Sequence, residues 1–131
     1  MVSGSRLEAL VGAAEAHPEI RALYLFGSQS SGEARSDSDV DLGVLYRSRQ
    51  PLAAVLMLED QFERILGTRV DVIDVARARA FLALEIVRGE RIFCRDTTET
   101  DRFELYVLRR AGDLLPFERQ RQAMLLGVPE R

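Results

Sequence analysis

Two aspartates separated by one residue could together hold a divalent cation. Asp39 and Asp41 fall within segment 38–46, whose alternating pattern predicts a β-strand. Side chains two positions apart on a strand share a face, and at ~3.3 Å per residue their Cα atoms lie about 6.6 Å apart. Carboxylates on one face repel each other, and a hard divalent ion compensates both charges. The pair therefore predicts a site for one metal ion or for two neighbouring ions.

A glycine turn precedes these aspartates. The mostly apolar run 20–26 predicts a buried strand that ends abruptly at Gly27 and Ser28. Glycine allows a close approach of the backbone, so this turn can present amide N–H groups and a hydroxyl to an anion. The polar loop 29–37 can return the chain to an adjacent strand and bring the turn near the carboxylates. A nucleoside triphosphate with its magnesium needs both parts of such a site, the turn for its phosphates and the carboxylates for its metal ion.

At these residues the chain resembles the minimal nucleotidyltransferases (MNT) of the polymerase-β-like superfamily. The hallmark of that family is Gly-Ser, a ten-residue spacer and Asp-x-Asp, and it is matched here by Gly27, Ser28, Asp39 and Asp41. The resemblance implies that the glycine and serine bind the departing phosphates. Many relatives carry Ala-Arg after the serine, whereas this chain has Gln-Ser-Ser, so Arg35 is the arginine of the same loop that remains available to the nucleotide.

The same resemblance implies a third carboxylate on a later strand. Segment 69–75 predicts a strand that holds Asp71 and Asp74, and strand alternation places them on opposite faces. By resemblance the third catalytic role is assigned to Asp71, and Asp74 is interpreted as a strand-end or helix-capping residue. The predicted catalytic and metal-binding residues are thus Asp39, Asp41 and Asp71, and the predicted nucleotide-binding residues are Gly27, Ser28 and Arg35.

Composition excludes several classes of protein. All 18 basic residues are arginine, which rules out a Walker-type P-loop, a kinase-type lysine and a pyridoxal Schiff base. One cysteine and one histidine cannot form a structural zinc site or a disulfide. With a net charge of −3, no direct nucleic-acid binding is expected. No segment approaches ~18 uninterrupted apolar residues, so we expect neither a signal peptide nor a membrane helix. We therefore expect the protein to be cytoplasmic.

The order of predicted elements indicates an α+β protein of the nucleotidyltransferase (polymerase-β-like) fold, with a small mixed sheet flanked by helices. A helix capped by Ser3 or Ser5 is expected to end before Pro18, and further helices are predicted over 51–66 and 77–88. A short strand is predicted over 91–94. We expect a single domain, 1–131, made of a catalytic core, 1–96, and a C-terminal helical segment, 97–131. Pro116 is expected to kink or break that segment. Its apolar excess fits either a central helix of the core or a partner surface.

The short chain and helical tail are most similar to the MNT antitoxins encoded with HEPN-domain toxins. That resemblance implies magnesium-dependent transfer of AMP from ATP, with two Mg²⁺ ions and release of pyrophosphate, to a tyrosine hydroxyl of a cognate HEPN ribonuclease toxin. Two alternatives remain: a non-catalytic antitoxin that acts by binding alone, and a small-molecule nucleotidyltransferase of the antibiotic-modifying type, which usually needs more chain for an acceptor pocket. A nucleic-acid polymerase is the least favoured class because of the acidic balance.

Overall fold

A computed structural model describes residues 2–27 and 39–126 of the chain. Its helices are α1 (Gly4–Ala16), α2 (Leu52–Leu66), α3 (Ala80–Val87) and α4 (Thr97–Leu126), with a 3₁₀ turn over Val75–Arg77. Its strands are β1 (Ile20–Phe26), β2 (Val40–Tyr46), β3 (Val70–Asp74) and β4 (Glu90–Cys94).

The four described strands form one mixed sheet in the order β3-β2-β1-β4. Strand β1 pairs antiparallel with both β2 and β4, whereas β2 and β3 run parallel. The prediction of an α+β fold with a small mixed sheet and a C-terminal helical segment is confirmed. The predicted bounds of β1 are met, and β2 and β3 are shorter than predicted by one or two residues at their ends.

Helices cover both faces of the sheet, which is why β1 and β2 read as nearly continuous apolar runs. On one face α1 and α2 contribute Leu10, Ala14, Leu58, Phe62 and Leu66 to a cluster with alternate residues of β1, β2 and β3. On the other face the 3₁₀ turn, α3 and α4 contribute Val75, Ala83, Ile86 and Val107. The strands are therefore held between two apolar layers.

Helix α3 presses closely on the centre of β2. A Cβ at Gly43 would lie 2.3 Å from Cγ2 of Ile86, so the helix can approach this far only over a glycine. The predicted helix over 77–88 is divided, because the chain first makes the 3₁₀ turn. Asp74 caps that turn: its carboxylate accepts a hydrogen bond of 3.1 Å from the backbone N–H of Ala76. The capping interpretation of Asp74 is confirmed.

Helix α4 runs through Pro116 without ending there. Its first half packs on α3 and joins the cluster on the sheet through the buried Val107; Ala111 is buried too, whereas side chains from Gly112 onward are mostly exposed. Among the described residues, no helix combines the length and apolarity needed to cross a membrane.

A polar network around the buried Tyr24 fixes α4 to the sheet. The hydroxyl of Tyr24 on β1 donates a hydrogen bond of 2.6 Å to Oε2 of Glu104 on α4. Arg91 on β4 donates from Nη1 to the same oxygen at 2.8 Å and also reaches Asp101 at 2.8 Å. Burial and the Glu104 carboxylate raise the pKa of Tyr24, which keeps its hydroxyl protonated as a donor.

We expect Tyr24→Phe to lower the free energy of unfolding by about 1.5–3 kcal/mol, because it removes a hydrogen bond to a charged acceptor. Tyr106→Phe is the matched control, since that ring lies on α4 but is 55% exposed. Urea unfolding of both variants measures the difference, and equal stability of the two would contradict the anchoring role of this network.

Candidate active site

Two of the predicted acidic residues lie side by side on neighbouring strands. The parallel register of β2 and β3 sets Asp41 beside Asp71. Asp39 precedes β2 by one residue and is exposed, as is Asp71, whereas Asp41 is half-buried. The structure therefore brings all three predicted acids to one end of the β2–β3 pair.

Strand alternation separates Asp71 from Asp74 as predicted. Asp74 lies in register with Val44, a residue of the cluster under α1 and α2. Its charge adds to the effect of burial in raising the pKa of Tyr46, which belongs to the same cluster. Asp71 lies in register with Asp41, which shares its face of β2 with Gly43. That face is the one covered by α3. The assignment of the third acid to Asp71 agrees with this geometry, and its catalytic role stays a prediction.

The glycine turn closes directly on Asp41. Gly27 has a φ of 74°, a left-handed conformation that glycine adopts without a steric penalty. A Cβ built on it would lie 2.5 Å from Oδ2 of Asp41. Gly27 is therefore required twice, for its backbone conformation and for the space that the carboxylate occupies. Ser28 and Arg35 lie outside the described residues, and their predicted contacts with nucleotide stay predictions.

Among the described residues, the charged groups that act on Asp41 are all acidic. Burial raises the pKa of Asp41, and the nearby charges of Asp71, Asp39 and Glu85 raise it further. Burial also raises the pKa of Glu59 on α2, with a smaller contribution from Asp71. Each of these groups would be more stable in its charged form beside a cation.

Glu85 was not singled out by sequence reasoning. It lies on the exposed side of α3, one residue from Ile86, and only the packing of α3 over β2 brings its charge near Asp41. A glutamate on an amphipathic helix has the sequence signature of an ordinary solvated residue, so no signal in the chain distinguishes it.

The donor chemistry of the site fits a hard cation. Asp39, Asp41 and Asp71 offer carboxylate oxygens, the ligands that Mg²⁺ prefers, and their mutual repulsion is relieved by positive charge. In the described part of the chain, no three acidic, histidine or cysteine side chains are yet grouped closely enough to hold one ion. The three carboxylates thus lie at one end of the sheet, but they do not converge on a single point where one ion could be coordinated.

Comparison with known proteins supports the class of protein that this site suggests. Residues 8–98 match the model of the family "Polymerase beta, Nucleotidyltransferase". The protein adenylyltransferase MntA of Thermococcus cleftensis is 35% identical over 69 residues, 53% of this chain and 70% of that protein. MntA of Shewanella oneidensis is 28% identical over 112 residues, 85% of this chain and 78% of that protein.

A solved structure shows the same fold over nearly the whole chain. It is the structure of a tri-AMPylated Shewanella oneidensis HEPN toxin in complex with its MNT antitoxin, which matches with a TM-score of 0.67 at 21% identity and covers 92% of this chain and 91% of that one. The family match spans well over half of the sequence. The chain therefore belongs to the polymerase beta nucleotidyltransferase family, and the prediction of a nucleotidyltransferase is confirmed.

Gly27→Ala should displace the Asp41 carboxylate and strain the turn. We expect a loss of about 1–2 kcal/mol in the free energy of unfolding, since an L-residue is held in the left-handed region, together with loss of nucleotidyl transfer. Gly12→Ala is the control, because it lies inside α1 with no atom within 4 Å of the added Cβ and should stabilise by about 0.5–1 kcal/mol. Unfolding curves and transfer assays compare the two. Full activity of Gly27→Ala would contradict the close approach to Asp41.

Asp41→Asn should make the metal-free protein more stable at neutral pH. The raised pKa means that the folded state holds its proton more tightly than the unfolded chain, whose aspartate titrates near 3.8. Folding is therefore favoured below that value and loses stability as the pH rises through the pKa of the folded state. Melting temperatures in chelator should show Asp41→Asn above the wild type at pH 7 and equal to it near pH 4.

Asp113→Asn, on the exposed side of α4, should show no such crossover. A variant Asp41→Asn that melts below the wild type at pH 7 would mean that the carboxylate is already compensated within the chain.

Proposed function

We propose that this chain is a magnesium-dependent protein adenylyltransferase that transfers AMP from ATP to a tyrosine hydroxyl of a cognate HEPN-domain toxin and thereby neutralises it. The observation that carries the proposal is the register that places Asp41 beside Asp71, with Gly27 closed against Asp41. The names of the two curated relatives and the AMPylated toxin of the solved complex support the acceptor class.

Asp39 and Asp41 would hold the ion on the triphosphate, and with Asp71 a second ion at the acceptor. Bound magnesium would offset phosphate charge and lower the pKa of the attacking hydroxyl. Asp71 is the carboxylate proposed to receive the proton of that hydroxyl, since it is exposed where an acceptor can reach it. Gly27 and Ser28 are proposed to bind the departing β- and γ-phosphates through the turn, with Arg35 available from the same loop.

The acceptor is proposed to dock on the side of the molecule formed by α3 and α4. These helices cover the sheet face to which Asp41 belongs, so a partner bound there would stand beside the carboxylates. A cavity of about 310 Å³ lies where the two helices meet, and its lining includes Phe81, Leu108 and Leu115. Exposed apolar side chains continue along α4 to Leu125, which is 73% exposed. An apolar surface of this extent is typical of a protein interface.

The test is transfer of label from α-labelled ATP to the product of the adjacent gene. Wild-type protein with magnesium should label the partner, and Asp39→Ala combined with Asp41→Ala should abolish labelling. Asp71→Asn should reduce the rate by about 10²–10⁴-fold, the usual contribution of a general base. Asp74→Asn is the matched control: the amide still caps the 3₁₀ turn, so transfer should be unchanged.

Three results would contradict parts of the proposal. Equal labelling in chelator would contradict the magnesium requirement. A stronger loss in Asp74→Asn than in Asp71→Asn would reverse the assignment of the third acid. A partner that is bound and neutralised without gaining AMP would establish the antitoxin that acts by binding alone.

A further inference from the structure

A second polar cleft lies at the other end of β2 and β3. It encloses about 310 Å³ between the turn that follows β2 and the 3₁₀ turn that follows β3. Arginines provide much of its lining, together with one tyrosine, one serine and one aspartate: Arg47, Arg49, Arg77, Tyr46, Ser48 and Asp74. Neither the proposed transfer reaction nor the core uses these side chains as a group.

Tyr46 is the unusual residue in the lining of this cleft. The residue is 8% exposed, and its Oη is buried without a hydrogen-bond partner in the described residues. Burial, with smaller contributions from Asp74 and Glu59, raises the pKa of Tyr46 to about 12, so the hydroxyl stays a proton donor. A buried donor without an acceptor is costly, and a ligand oxygen would supply the missing acceptor.

The arginines give the cleft a positive balance. Arg47, Arg49 and Arg77 are exposed, and none of the three forms an ion pair with a carboxylate among residues 2–27 and 39–126. Asp74 is the one acid in the lining. Burial raises the pKa of its carboxyl group, and the hydrogen bond from the Ala76 N–H and the charges of Arg77 and Arg49 offset part of that rise. The lining thus carries three guanidinium groups and one carboxylate.

The turn that carries two of these arginines is held in place. Oε2 of Glu19 accepts hydrogen bonds from Oγ of Ser48 at 2.9 Å and from Nε2 of Gln50 at 3.3 Å. The backbone N–H of Arg47 donates to the carbonyl of Glu19 at 2.8 Å. Glu19 is therefore already occupied by this turn, and the turn positions the arginines before any ligand arrives.

We propose that this cleft binds a small phosphate-bearing anion, no larger than a mononucleotide, through the three arginines and the Tyr46 hydroxyl. Guanidinium groups bind phosphate oxygens in pairs, and 310 Å³ lies at the small end of the usual range for ligand sites. The site is separate from the candidate active site: Tyr46 follows Asp41 by five positions along β2, roughly 16 Å at ~3.3 Å per residue. The two side chains also lie on opposite faces of the sheet.

The experiment is calorimetric titration of the full chain with AMP and with inorganic phosphate, in chelator so that a metal-dependent site makes no contribution. Tyr46→Phe should weaken binding about three- to tenfold and Arg49→Gln about tenfold, because each removes a hydrogen-bond donor to a charged ligand. Tyr46→Phe removes only a hydroxyl that has no partner, so its melting temperature should not fall. Arg102→Gln, which is exposed on α4 beside Glu99, is the control and should bind as the wild type does.

Tighter binding of AMP than of phosphate identifies a mononucleotide as the ligand, and equal binding identifies the phosphate group alone; both support the site. Asp39→Ala combined with Asp41→Ala should retain the binding. The proposal is overturned if neither anion binds, if Arg49→Gln or Tyr46→Phe binds as tightly as the wild type, or if the double aspartate variant loses binding.

Discussion

Two carboxylates that repel each other stand side by side at the start of β2 and β3, and much of the surrounding structure is arranged around them. Asp41 is half-buried against Asp71, and burial together with like charge raises its pKa. The turn after β1 reaches Asp41 only because Gly27 has no side chain. A site of this kind lowers the stability of the fold at neutral pH, a cost that a bound cation would offset.

Parallel pairing is what brings the two acids to the same end of the sheet. A strand of seven residues spans about 23 Å, and the 15 residues of α2 return the chain by about 22 Å, so β3 can start level with β2. Such a crossover needs a helix packed on the sheet, which Leu58, Phe62 and Leu66 provide through their apolar stripe. The position of Asp71 therefore depends on the length and packing of a helix that takes no part in the site.

The local parts of this arrangement could be predicted from the sequence, and the long-range parts could not. Alternation and turn chemistry predicted β1 at its observed bounds and placed Asp71 and Asp74 on opposite faces. The pairing of Tyr24 with Glu104 joins residues 80 positions apart, and no local pattern encodes it. The same holds for Glu85, which becomes part of the electrostatics of Asp41 only through the packing of α3 over a glycine. The start of the helix predicted over 77–88 was also missed, because Asp74 caps a 3₁₀ turn and the helix begins only at Ala80.

Helix α4 divides into an anchored half and an unsupported half, and the division has a physical consequence. The Tyr24–Glu104 hydrogen bond and Val107 hold its first half to the sheet, and packing on α3 adds to this. Beyond Gly112 the described residues bury few of its apolar side chains, and an isolated helix of such length is marginal in water. Pro116 removes one backbone donor within this stretch and lowers its intrinsic stability further. The second half of α4 would thus gain most of its stability from a surface outside the described residues, in keeping with the proposed partner on the face where Asp41 lies.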